Sequence, residues 1–214
     1  MMKNKKTIFV ISGVVVLLIL ASGASFFKNS SSESATSEPT SNEIKTVSVS
    51  TNYLKFENVD ALDTAADLVV IGEATQDFSK RKHMTTYFDD GTTLQDFYTL
   101  TEIKVDQVLK ESDDISKAAD GLTLEIVEPL ALVQNAGETI KLTHENYTEL
   151  QKGEKTVIFL KKNTFGQYSI FNQNLGKFSL NSSGTSKALI GDEAAEYNTF
   201  KSDVLKKYGV QEVE

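Results

Sequence analysis

Residues 7–27 carry no charge for 21 positions, and three lysines, Lys3, Lys5 and Lys6, stand just before them. The stretch is apolar all round, with no polar face to mark it as a core helix. At about 1.5 Å per residue, a helix of that length covers roughly 30 Å, the hydrocarbon thickness of a bilayer. The lysines stay on the cytoplasmic side by the positive-inside rule, so the rest of the chain faces outward. The small residues Ala21, Ser22, Gly23 and Ala24 also suit a signal peptidase. Residues 1–28 therefore read as a retained membrane anchor or a cleaved signal peptide. The chain is expected at the cell membrane with its C-terminal domain extracellular, or secreted if the N-terminus is removed.

Residues 29–50 are rich in Ser, Thr and Glu and offer almost nothing to bury before Ile44. Such a segment does not offset its own ordering entropy, and it is expected to be a flexible stalk. Residues 51–214 remain for one extracellular β-rich domain, long enough for a proper core.

The charge balance supports that placement. All four charges in residues 1–28 are lysines, which leaves 18 basic and 30 acidic side chains in the rest, a net −12. A surface of that sign repels nucleic acid phosphates, so no nucleic acid partner is expected. Cysteine is absent from all 214 residues. That excludes disulfides, thiolate metal sites and a cysteine nucleophile. An exported domain without disulfides fits a bacterium better than an animal.

Within the domain, residues 57–66 repeat Val59, Leu62 and Ala65 at helical spacing, with Asn58 or Asp60 to cap them. Leu68-Val69-Val70-Ile71 is a short apolar run and reads as a buried strand. Residues 78–95 form a polar excursion, a long loop or an exposed hairpin. Residues 98–109 place apolar side chains first at even positions (Tyr98, Leu100), then odd (Ile103, Val105), then even again (Val108). A strand has period two, so each change of parity predicts a bulge in a long curved strand. The alternative is a strand that ends at Leu100. Leu122, Leu124 and Ile126 alternate up to Pro129. Residues 130–146 read as a loop holding one short strand at 139–142. Residues 156–160 form a central strand. Residues 167–171 and 177–180 are two more strands, with a hairpin turn at 172–176. The last element is a helix over 192–208 that carries Tyr197, Phe200, Val204 and Tyr208 on one face, capped by Asp192 and Gly209.

Five to seven short strands, one of them curved, and a peripheral helix predict a mainly β domain. It should be a small curved-sheet barrel or sandwich with a short N-terminal helix and a C-terminal helix, preceded by one hydrophobic N-terminal helix.

Several segments carry a resemblance. They are Ala66-Asp67-Leu68-Val69-Val70-Ile71-Gly72, Val105-Asp106-Gln107-Val108-Leu109-Lys110, Lys152-Gly153-Glu154-Lys155-Thr156-Val157-Ile158-Phe159-Leu160 and Leu175-Gly176-Lys177-Phe178. In this order the chain resembles uncharacterised exported domains of Gram-positive bacteria. It is distantly similar to the netrin and tissue-inhibitor-of-metalloproteinase type of OB barrel over residues 61–180. The resemblance implies an OB-like fold and no inhibitory residue, because that family works through cysteines this chain lacks.

No catalytic constellation is legible. The two histidines, His83 and His144, lack metal-site spacing. A glycine-flanked serine elbow and a phosphate-cradling loop are both missing, and no cofactor is expected. The basic run Lys80-Arg81-Lys82-His83 stands out in an acidic chain and is the candidate ligand contact. The expectation is a non-enzymatic extracellular module that touches the membrane through residues 7–27. Its ligand would be an unknown protein or cell-envelope polymer. The alternatives are an accessory or inhibitory subunit of a membrane complex, and a cell-envelope hydrolase.

Overall fold

The computed structural model describes residues 44–116, 121–181, 189 and 191–213. The apolar segment 7–27 and most of the stalk lie outside the described residues. Among those described, no helix is long and apolar enough to cross a membrane.

The centre is a closed barrel of five strands. These are β2 (Leu68–Ala74), β4 (Leu94–Lys110), β5 (Thr123–Glu128), β8 (Thr156–Lys162) and β9 (Tyr168–Ile170). β2 pairs antiparallel with β4 and β8, and β4 pairs antiparallel with β5. β9 closes the ring, parallel to β5 and antiparallel to β8. The expected OB-like barrel is thus the architecture found.

β2 and β8 are buried on both faces, which accounts for their unbroken apolar runs. Leu68, Val70, Ile158 and Leu160 fill the barrel with Ile103, Val105 and Ile126. Val69, Ile71, Val157 and Phe159 point outward, under α2 (Asp192–Tyr208), where they meet Tyr197, Phe200 and Val204. The helical face read from spacing is the face that is buried. Its C-terminal cap is Gly209 at φ 64, as expected. The N-cap is Gly191 rather than Asp192, which lies inside the first turn. The short helix α1 (Val59–Ala65) starts at Asn58, whose side chain accepts the Ala61 N–H.

β4 is one strand of 17 residues, so the alternative of an end at Leu100 is set aside. Its register against β2 slips twice, once between Val105 and Gln107 and once between Val108 and Lys110. These bulges let the strand curl around the barrel. The first parity change read from the sequence is not a bulge. Phe97, Thr99, Thr101, Ile103 and Val105 share one buried face, and two of them are threonines. Tyr98 and Leu100 lie on the opposite, half-buried face.

Gly72 sits at the first slip, where an added Cβ would come 2.8 Å from the Lys104 carbonyl oxygen. That neighbour is backbone and gives way poorly. Gly72→Ala is expected to lower stability by about 1–3 kcal/mol in urea denaturation. An unchanged midpoint would contradict this packing.

Three other expectations are corrected. Residues 172–176 are no hairpin turn, because β9 and β10 (Lys177–Ser179) run in the same direction along one edge of β8. Between them the chain makes a tight 3-10 turn entered through Asn172 at φ 71. Residues 130–146 are not a loop but a hairpin, β6 (Leu130–Asn135) with β7 (Glu138–His144). The folded unit also begins before Ser50. β1 (Lys45–Val49) pairs parallel with β7, and Val47 and Val49 pack against Phe97, Ala131 and Leu142. The alternation in Thr46-Val47-Ser48-Val49 was the available signal.

Candidate functional site

The polar excursion after β2 is an exposed hairpin. A 3-10 turn at Phe78–Lys80 leads into β3 (Lys82–Tyr87), which pairs with the first half of β4. The structure does not bring the four residues of the basic run together on one surface. Lys80 and Lys82 are exposed, and Lys80 faces Asp77 at 3.4 Å. His83 shares a hydrogen bond of 2.8 Å between its Nδ1 and the Thr99 hydroxyl, with its ring against the edge of Phe78. Arg81 turns inward and is buried.

Arg81 closes a network at one end of the barrel. Its Nη1 lies 2.7 Å from Oε1 of Glu128, and its Nη2 donates to the Leu150 carbonyl at 2.6 Å. Nε and Nη2 both donate to the Gln76 carbonyl, at 3.0 and 2.9 Å. Glu128, fully buried, accepts three further donors. These are the Thr101 hydroxyl, the Tyr147 hydroxyl at 2.7 Å and the Leu150 N–H at 2.8 Å. Burial, with Glu128 alongside, pushes the Tyr147 phenol well above its ordinary value, so it stays protonated and donates. Both charged groups are thus surrounded by partners, which is what makes a buried ion pair tolerable. The network ties together the break between β2 and β3, the middle of β4, the end of β5 and the segment after β7.

Lys177 lies nearby and is equally buried. Its ammonium sits 4.9 Å from the Tyr147 ring centre and donates to the Thr148 hydroxyl at 3.1 Å. Burial pulls its pKa down to about 8 against the opposing pull of Glu128, Glu149 and Glu154. None of these groups lines either of the two surface hollows described below.

The larger hollow is a cleft of about 270 Å³ on the outer face of the barrel. β4 supplies Asp96 and Tyr98, the end of β5 supplies Val127, and Pro129 follows it. His144 ends β7, and the β8–β9 loop adds Phe165. Phe165 is 86% exposed, far beyond any other large apolar side chain on the described surface. The His144 ring stacks on Phe97 with centroids 4.2 Å apart and planes within 1°. Burial lowers the His144 pKa from its ordinary value, so the stacked ring is neutral at pH 7. Asp96 is the sole charged group in the lining. The volume falls short of the about 300–1,000 Å³ usual for a small-molecule site. It suits side chains of a longer ligand better than an engulfed cofactor.

The second hollow, about 110 Å³, lies among Tyr53, Lys55, Asn174, Glu193 and Glu196 and is smaller still. Among the described residues, no group of three or more histidines and acids stands close enough to hold a metal ion.

Fold and site together define a small OB-like barrel with an aromatic-rimmed cleft across strands β4 and β5 and the β8–β9 loop. No family model matches the sequence, and no curated protein matches it either. The cleft was not legible in the sequence, since Asp96, Pro129, His144 and Phe165 are far apart in the chain. The one available signal was Phe165, a phenylalanine in the turn-forming stretch Asn163-Thr164-Phe165-Gly166.

Proposed function

We propose that the chain is a non-catalytic binding module, displayed on the outer side of a membrane by its N-terminal apolar segment. Its ligand is a protein or polymer of the cell envelope, bound at the outer cleft. The observation that carries this reading is Phe165, held almost fully in solvent at the rim of that cleft. An aromatic ring costs solvation free energy when exposed, and such rings dominate binding surfaces. The location matches the face on which OB-type barrels bind, strands two and three with the loop between strands four and five. That support is an analogy of fold, and the side chains of the cleft give it content. The acidic surface fits a ligand that is not a nucleic acid.

Phe165→Ser removes the ring from a loop tip and leaves the core untouched. The full-length chain in detergent micelles is expected to co-sediment with isolated envelopes of its own cells. Phe165→Ser should weaken that by tenfold or more, the effect of losing a central aromatic anchor. Equal sedimentation of both proteins, or of neither, overturns the reading.

A further inference from the structure

The first half of β4 has a free edge inside the cleft. Residues 94–100 pair with β3 on one side, and pairing with β5 on the other begins only at Thr99. Beyond Glu128 the chain reaches Pro129, which has no N–H to give to a ladder, and Leu130 then pairs with Thr143 instead. Among the described residues, no strand pairs with residues 94–98 of β4 on the side that β5 would have continued into. The Phe97 N–H donates to the Asp96 carboxylate at 2.8 Å, beside this edge.

We infer that the cleft takes an extended polypeptide, which adds as a short strand along residues 94–98 of β4. This rests on the cleft being the binding site. The backbone of the peptide would accept from the Phe97 N–H in place of Asp96. The released carboxylate would then face the peptide, and it is the one charge in the cleft, with no lysine or arginine in the lining. The matching side chain on the peptide is basic. Side chains alternate along a strand, so the residues flanking that basic one face the other way. An apolar residue on the cleft side would lie between Tyr98, Pro129 and Phe165. The occupant is a peptide segment in which basic and apolar side chains share one face, and not a sugar polymer or a phosphate ester.

The test is a random decapeptide library displayed on phage and panned against the full-length chain in detergent micelles. The selected consensus is then synthesised and measured by fluorescence anisotropy. The expected result is a consensus with Lys or Arg two positions from an apolar residue. Its binding should fall fivefold or more on Asp96→Asn. N-methylation of alternate peptide amides should cost tenfold or more in one register and little in the other. The methylated peptides act on the unaltered protein, so they decide the matter even if the variant folds poorly. Failure to select any peptide, or selected peptides indifferent to N-methylation in both registers, overturns strand addition. If Phe165→Ser still abolishes envelope sedimentation in that event, the cleft remains the binding site and only the class of ligand is wrong.

Discussion

Glu128→Ala is expected to cost about 3–5 kcal/mol, the usual loss when one partner of a buried ion pair is removed. The substitution strands the Arg81 guanidinium at one end of the barrel, where both side chains are almost inaccessible. The Tyr147 hydroxyl and the Leu150 N–H lose their acceptor in the same step. Small domains hold only about 5–15 kcal/mol in total, so the variant should unfold at markedly lower urea. Arg81→Met together with Glu128→Leu removes both charges and should recover the part of the loss that comes from the stranded guanidinium, while the Tyr147 and Leu150 donors stay unpaired. A double-mutant cycle measures this directly. If Glu128→Ala unfolds like the parent protein, the pair is not buried as described.

Lys177 carries the second large effect, with the opposite sign. Its folded pKa of about 8 lies below the ordinary lysine value of 10.5, because burial disfavours the ammonium. Below pH 8 both folded and unfolded chains hold the proton, and the full cost of burying it applies. That cost is about 3 kcal/mol from the displacement of the pKa. Between pH 8 and 10.5 the folded chain has shed the proton while the unfolded chain keeps it. Stability on this account rises with pH through that window. Lys177→Met should therefore stabilise the protein at pH 7 by about 1–3 kcal/mol. The advantage should shrink steadily as the pH climbs from 8 to 10. Urea denaturation of both proteins at four pH values reads the difference. A gap that does not change with pH would show that Lys177 is not the titrating group.

Both effects lie where the sequence was hardest to read. Elements made by apolar periodicity were plain, among them β2, β8, the face of α2 and the curved strand β4. Polar residues in the interior were not. Thr99 and Thr101 break the apolar alternation of β4, so the inward face seemed to change sides at a point where it does not. They are buried because Glu128, His83 and the Leu130 carbonyl offer them partners. Arg81 stands in a run of four basic residues and reads, with them, as a candidate ligand contact. Its partner, Glu128, stands 47 positions away beside Pro129, and no local pattern links them. β1 was missed because its strand is exposed along most of its length and gains its place from β7, nearly a hundred residues later. The cleft was hidden for the same reason. It exists where β5 turns away from β4, and only the fold brings His144 and the β8–β9 loop to that gap.

The most direct test of the account is a photo-cross-linking side chain placed at position 165 of the full-length chain in intact cells. A control carries it at Lys206, exposed on α2, which covers the outside of β2 and β8. The account predicts a discrete adduct of defined mass from position 165, formed with an envelope component, and none of that mass from position 206. The same adducts from both positions, or no adduct from position 165, would contradict a ligand-binding cleft at this face of the barrel.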